Sequence, residues 1–210
     1  MTTSDHPAKA APTLELNGYT PLPAGSIAAV VTFMEMKAPS PPLPEKPGHS
    51  LVLEKVPSPD PRWYRALFRR VGERWLWFSR LEMDEAALGA LLADPMVGVY
   101  VLKRAGVEVG LLELDFRRPG EVELAFFGVV PEMVGSGAGS FMMNRALALA
   151  WAADPRRVHV HTCTLDMQGA VEFYRRAGFV PYARAIEVAR DPRLSGLLAA
   201  DAAPHAPLID

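Results

Sequence analysis

The chain has 210 residues, half of them hydrophobic, with a formal net charge of -2 and one cysteine. That length carries one ordinary domain with decoration, and the composition excludes a chain that is disordered throughout. The charge balance gives no polybasic field for nucleic acid or an anionic membrane, the lone Cys163 excludes an intramolecular disulfide, and no apolar run reaches the about 18 residues of a membrane span.

Residues 1–11 read as a loose tail, and Met1 to Ala10 lacks the charged-then-apolar pattern of a secretory leader, so a cytoplasmic location is expected. Ser26 to Met36 is rich in Ile, Val, Thr and Phe and predicts a strand; the proline segment Ala38 to Pro44 then predicts an extended linker. The expected organisation is a tail, extra strand and linker over 1–49, a compact domain over 50–190 and a second tail over 191–210. The extra strand can cover the domain or exchange between subunits, which leaves a homodimer open.

Within the compact part, Leu51 to Val56 predicts a short strand. Asp60-Pro61 then starts a helix as N-cap and first turn, with Tyr64, Leu67, Phe68 and Val71 as its buried stripe. The aromatic segment Glu73 to Phe78 leads to a second helix over Asp84 to Ala93. Val97 to Arg104, Val107 to Phe116 and Glu121 to Val130 predict three strands, joined as antiparallel hairpins through Ala105-Gly106 and Pro119-Gly120. A helix over Ser140 to Trp151, a strand over Val158 to Leu165, a helix over Gln168 to Ala177 stopped by Gly178, and a last strand over Phe179 to Val188 complete the domain. A short helix signal over Leu194 to Ala200 lies in the tail. This order is a mixed α/β layout, not an alternating parallel one.

Between the third hairpin strand and the following helix stands Pro131-Glu-Met-Val-Gly-Ser-Gly-Ala-Gly139. Glycines that open into a helix N-terminus expose main-chain N–H groups with partial positive charge, which suits phosphate. A Walker loop fails, because Gly139 is followed by Ser140-Phe141 where Lys and Ser or Thr are needed. A dinucleotide turn fits poorly: counting from Gly135, Ser140 takes its third glycine position, and a hairpin precedes the turn where a βαβ crossover is needed. A tight turn with no ligand is the plain alternative.

Two separated segments resemble the GCN5-related N-acetyltransferase family over roughly Leu51 to Val188. The strand Glu123-Leu-Ala-Phe-Phe-Gly-Val129 followed by Val134-Gly-Ser-Gly-Ala-Gly139 is similar to the family's Arg/Gln-x-x-Gly-x-Gly/Ala signature, and Ala170-Val-Glu-Phe-Tyr-Arg-Arg-Ala-Gly-Phe179 to its Ala-x-x-x-Tyr-x-x-x-Gly-Phe ending. The resemblance implies an acyl-CoA N-acyltransferase fold, a mostly antiparallel twisted sheet flanked by about four helices. It implies acetyl-CoA as co-substrate and direct transfer to a small-molecule or peptide amine. Phe127, Val129 and Val130 would give main-chain contacts to the pantetheine arm. Val134, Gly135, Ser136, Gly137, Ala138, Gly139 and Ser140 would take the diphosphate. Two departures are Val134, where Arg or Gln is usual, and Met167, where Asn is common; the first removes a contact of about 1–2 kcal/mol while keeping the amide cradle.

The resemblance also gives Tyr174 the role of protonating the leaving sulfur, against a plain packed-helix tyrosine, and Glu123 that of deprotonating the acceptor. A carboxylate between Val122 and Leu124 is expected to have a raised pKa, with Glu113 on the neighbouring strand as a competitor and an outward-facing residue as the bland alternative. Trp75, Trp77 and Phe78 border the acceptor site in this reading, or else form core under the sheet. His159, His161 and Cys163 alternate on one strand face at spacings of roughly 6 to 7 Å, awkward for a single tetrahedral ion, so no metal is assigned. An acyl-CoA-binding regulatory protein with little or no chemistry is the alternative function.

Overall fold

A computed structural model describes residues 14–47 and 50–209. The expected tail over 1–11 lies outside the described residues. Among the described residues seven strands form one sheet: β1 (Ser26–Met36), β2 (Leu51–Lys55), β3 (Val97–Arg104), β4 (Val107–Asp115), β5 (Glu121–Val129), β6 (Arg157–Cys163) and β7 (Val180–Arg190), in the spatial order β2-β3-β4-β5-β6-β1-β7. Neighbours run antiparallel except β5 and β6, which are parallel because the chain returns between them through helix α4 (Ala138–Trp151). The β3–β4 turn carries Ala105 and Gly106 at φ 49° and 80°, the left-handed pair a two-residue hairpin requires.

Helix α1 (Pro61–Gly72) begins where the sequence expects it, with the Asp60 carboxylate accepting from the Arg62 and Trp63 amides. Its stripe of Tyr64, Leu67, Phe68 and Val71 is buried against the sheet. A single turn α2 (Ser79–Glu82) and helix α3 (Glu85–Ala93) follow, and α4 and α5 (Ala170–Arg176) complete the set. Leu111 and Leu112 are adjacent on β4, so they point to opposite faces, and both are fully buried. The sheet is therefore covered on both sides at its centre. On β5, Phe126 meets Phe68 and Trp77 on one face, while Phe127 meets Phe173 and Tyr174 of α5 on the other.

Two segments depart from the expected organisation. Strand β1 was set outside the compact domain; instead it pairs along its length with β7 on one edge and with β6 over Val31–Met36 on the other. The prolines after it interrupt secondary structure without interrupting packing. The linker lies along α4: Ser40 Oγ donates to the Ala177 carbonyl at 2.6 Å, and Asn144 exchanges two hydrogen bonds with the Leu43 main chain at 2.8 and 2.9 Å. The segment after β7 forms turns in place of the helix expected over 194–200, since Pro192 and Gly196, at φ 73°, break its geometry. It is packed all the same. Arg193 and Asp191 form an ion pair at 2.6 Å, 2% and 3% exposed, and the guanidinium also donates to the Ala202 and Ala206 carbonyls.

Candidate functional site

Parallel pairing of β5 with β6 runs only from Glu121 to Glu123, opposite Arg157 to His159. Beyond that point the strands part, and the main chain of residues 125–129 has a strand on one side only. The opening is a cleft of about 870 Å³ that runs from the glycine turn to the aromatic segment after α1. Twelve of the residues singled out in the sequence line it: Trp75, Trp77, Phe78, Glu123, Phe127, Val129, Val134, Gly135, Gly137, Gly139, Ser140 and Tyr174.

At one end, the turn is built by two left-handed glycines, Gly135 at φ 77° and Gly137 at φ 97°, the latter capping α4. Not every amide there is available. Val134 N–H donates to the Pro131 carbonyl, Ser136 N–H to Met133, and Ala138 N–H to the Ser136 hydroxyl, which itself donates to Met133. These bonds shape the cradle. Among the described residues, the N–H groups of Gly135, Gly137, Gly139 and Ser140 meet no protein acceptor, and an added Cβ on Gly135 would meet nothing within 4 Å. The turn thus fits an anion with four donors, where the sequence suggested seven residues.

Val130 is a correction. Its amide donates to the Val109 carbonyl at 2.9 Å and its own carbonyl accepts from Met133, so neither main-chain group is free for a pantetheine arm. Ala138 is likewise fully buried, and with Ser136 it lies outside the cleft lining.

Tyr174 lines the same cleft, set edge-on to Phe127, Phe173 and Phe179. Burial, with a smaller push from Asp166, raises its phenol well above the ordinary tyrosine range, so it holds its proton throughout neutral conditions.

At the other end, Glu123 Oε1 stands 3.4 Å from His161 Nδ1. The expectation of a raised carboxyl pKa is overturned: the hydrogen bond with His161 outweighs burial and holds Glu123 below the usual carboxylate range. The same bond raises the His161 imidazole. Burial still pushes the carboxyl up, but less than its imidazole partner pulls it down. Glu113, the competitor, is withdrawn entirely. It is 1% exposed and receives the Tyr64 hydroxyl and Arg80 Nη2, the latter at 2.6 Å. Arg80 in turn lies 4.8 Å over the Phe126 ring.

Trp77 proves to be core and wall at once. It packs on Phe68 and Phe126, and its space exists because residues 72 and 128 are glycines: a Cβ on Gly72 would come within 2.5 Å of the indole, and one on Gly128 within 2.9 Å. Its Nε1–H donates to Asp166 at 3.2 Å, and Asp166 also receives the Thr162 hydroxyl and the Cys163 amide. Trp75 and Phe78 line the same end, with His205 of the C-terminal segment 6.0 Å from the Trp75 ring. The sequence reading missed Asp166, Arg80 and His161's partnership. An Asp just after a strand signals a turn, but nothing local shows that a tryptophan 89 residues earlier will reach it. Among the described residues no group of three His, Cys, Asp or Glu side chains stands together to hold a metal, and Cys163 is a thiol pushed up to about 11 by burial. Among the same residues no helix is long and apolar enough to cross a membrane.

With this geometry in place, the comparisons with known proteins give its kin. The GCN5-related N-acetyltransferase from Sphaerobacter thermophilus superposes with a TM-score of 0.57 at 18% identity, over 77% of this chain and 51% of its own. A conserved protein of unknown function from Staphylococcus epidermidis superposes at 0.53 and 16%, over 80% and 63%. The chain therefore spans less than two thirds of the length of either, and likeness at this identity shows the fold alone. Among curated proteins none matches the chain. The family model described as "Acetyltransferase (GNAT) family" matches residues 58–179, more than half of the sequence and the whole stretch from α1 to Phe179, and so the chain belongs to the GNAT acetyltransferase family.

Proposed function

We propose that the chain moves the acetyl group of acetyl-CoA directly to an amine. The observation that carries this reading is the continuity of one cleft past four open amides, a protonated phenol and a carboxylate–imidazole pair. Each is a part that thioester aminolysis needs, and all line the same cleft.

In this reading the Gly135, Gly137, Gly139 and Ser140 amides take the diphosphate, and the unpaired main chain near Phe127 and Val129 steers the pantetheine arm along β5. The aromatic end, with Trp75, Trp77 and Phe78, receives the acceptor. As the amine nitrogen bonds to the thioester carbonyl carbon, Glu123 and His161 remove a proton from that nitrogen, directly or through water. Ionised Glu123 raises His161 above an ordinary imidazole, so the neutral imidazole is the stronger base toward the nitrogen as its bond to carbon forms, and Glu123 stabilises the imidazolium that results. When the C–S bond breaks, Tyr174 gives its proton to the departing sulfur; its high pKa keeps that proton in place until a thiolate forms. No metal is needed for any of these steps.

The test is thiol release from acetyl-CoA over a panel of primary amines. Acceptor-dependent release that falls by about 10²-fold in Tyr174→Phe with coenzyme affinity retained supports transfer. Tight CoA binding with no acceptor-stimulated release across the panel would favour a binding or regulatory protein.

A further inference from the structure

The acyl-CoA reading leaves a gap at the glycine turn: position 134, the first of the turn, is a valine and offers no charge to the phosphates. Four amides alone hold an anion by partial charges, and a full cation beside them adds a charge-assisted bond about twice as strong as a neutral one.

The cationic side chains Lys46, Arg80, Arg117 and Arg176 line the cleft. Arg80 is committed to buried Glu113, and Arg117 to Asp115 at 2.5 Å, both toward the acceptor end. Arg176 stands in the last turn of α5. Lys46 is the one that touches the glycine turn, its Nζ donating to the Gly135 carbonyl at 3.0 Å. An ammonium has three donors, and among the described residues Lys46 makes no other hydrogen bond, which leaves two for a ligand beside the Gly135 and Gly137 amides.

Lys46 reaches this place by construction. It follows Pro44 and Glu45 on the linker between β1 and β2, and that linker is tied down at successive points: Ser40 to Ala177, Leu43 to Asn144, and Glu45 to both Asn144 and Arg145 on α4. Asn144 and Arg145 stand on α4, so the linker is held against that helix just before Lys46 meets the turn that opens it. The linker backbone is already held, so only the lysine side chain is left to order when it meets an anion at this helix end.

We propose that Lys46 is the side-chain cation for the diphosphate of the coenzyme, filling from the linker the part that Val134 cannot. The linker between β1 and β2 thereby contributes a ligand contact. This rests on the acyl-CoA reading of the same cleft.

The experiment is isothermal calorimetry with CoA and with pantetheine, which lacks the diphosphate and nucleotide, on the full chain, on Lys46→Ala, and on Lys46→Ala combined with Val134→Arg. The expected result is CoA affinity about tenfold weaker in Lys46→Ala, pantetheine affinity unchanged, and most of the CoA loss restored by arginine at 134. Equal CoA affinity in the parent and Lys46→Ala overturns the role of Lys46 while leaving the cleft's function intact. Equal losses for CoA and pantetheine overturn it too, since they mean the linker only shapes the cleft. No CoA binding by the parent chain removes the acyl-CoA reading itself and this inference with it.

Discussion

The two ends of the cleft are built in opposite ways. The glycine-turn end is made of main chain from ten consecutive residues, 131–140, whose geometry is fixed by positive-φ glycines and by hydrogen bonds among near neighbours. The aromatic end is made of side chains from α2, β4, β5, β6 and the loops after α1 and β6, joined by contacts such as Trp77–Asp166 and Arg80–Glu113 that bridge 89 and 33 residues. A site of the first kind tolerates sequence change wherever glycine is kept; a site of the second kind changes specificity with single substitutions.

The comparison predicts where damage is greatest. The largest effect belongs to the turn: Gly137→Val forces a β-branched residue to φ 97°, and CoA affinity is expected to fall by more than about 10²-fold by calorimetry, with the remaining fold intact by circular dichroism. Retained affinity would mean that the turn is not the anchor. Next, Gly128→Ala puts a methyl 2.6 Å from the Val71 side chain and 2.9 Å from Trp77. The overpacking should cost about 1–3 kcal/mol in denaturant melts, and displacement of Trp77 should raise the acceptor KM more than it changes that of acetyl-CoA.

What the sequence made legible follows the same division. The strands, the hairpins, the Asp60 cap and the glycine turn rest on neighbours within a few residues, so composition and spacing expose them. The Tyr174 and Glu123 positions came through motif similarity. The direction of the Glu123 shift was misread because it depends on His161, a residue on another strand that is brought within reach only by the short parallel register at 121–123. Strand β1 was read correctly as a strand and placed wrongly, since no local feature of residues 26–36 records that β6 and β7 leave a vacancy between them.

Smaller effects sharpen the aromatic end. Glu123→Gln removes the partner that raises His161, so the imidazole titration followed by proton NMR should move to lower pH, and the acid limb of acceptor kcat/KM should move with it. For stability the signs differ between partners. The depressed Glu123 contributes above its unfolded pKa and loses that contribution as pH falls through its folded value; the raised His161 contributes below its unfolded pKa and loses it as pH rises through its folded value. The pair therefore supports the fold most between about pH 4.5 and 6.5, and the difference in melting midpoint between the parent and Glu123→Gln should be largest there. Least of all, Asp166→Asn keeps an acceptor for Trp77 and is expected to change acceptor KM by about threefold or less.

The position of β1 also sets a timetable. Among the seven strands it is the earliest made, yet its partners begin at Arg157, about 120 residues later, an interval of about 6 to 24 s at ordinary rates of synthesis. Among the described residues, strand β7 is joined to the sheet through β1 alone. The nascent chain must therefore keep an apolar, β-prone ribbon unpaired until β6 and β7 have been made, and a ribosome-bound chaperone that shields it over that interval should raise the yield of native protein more than one acting after release.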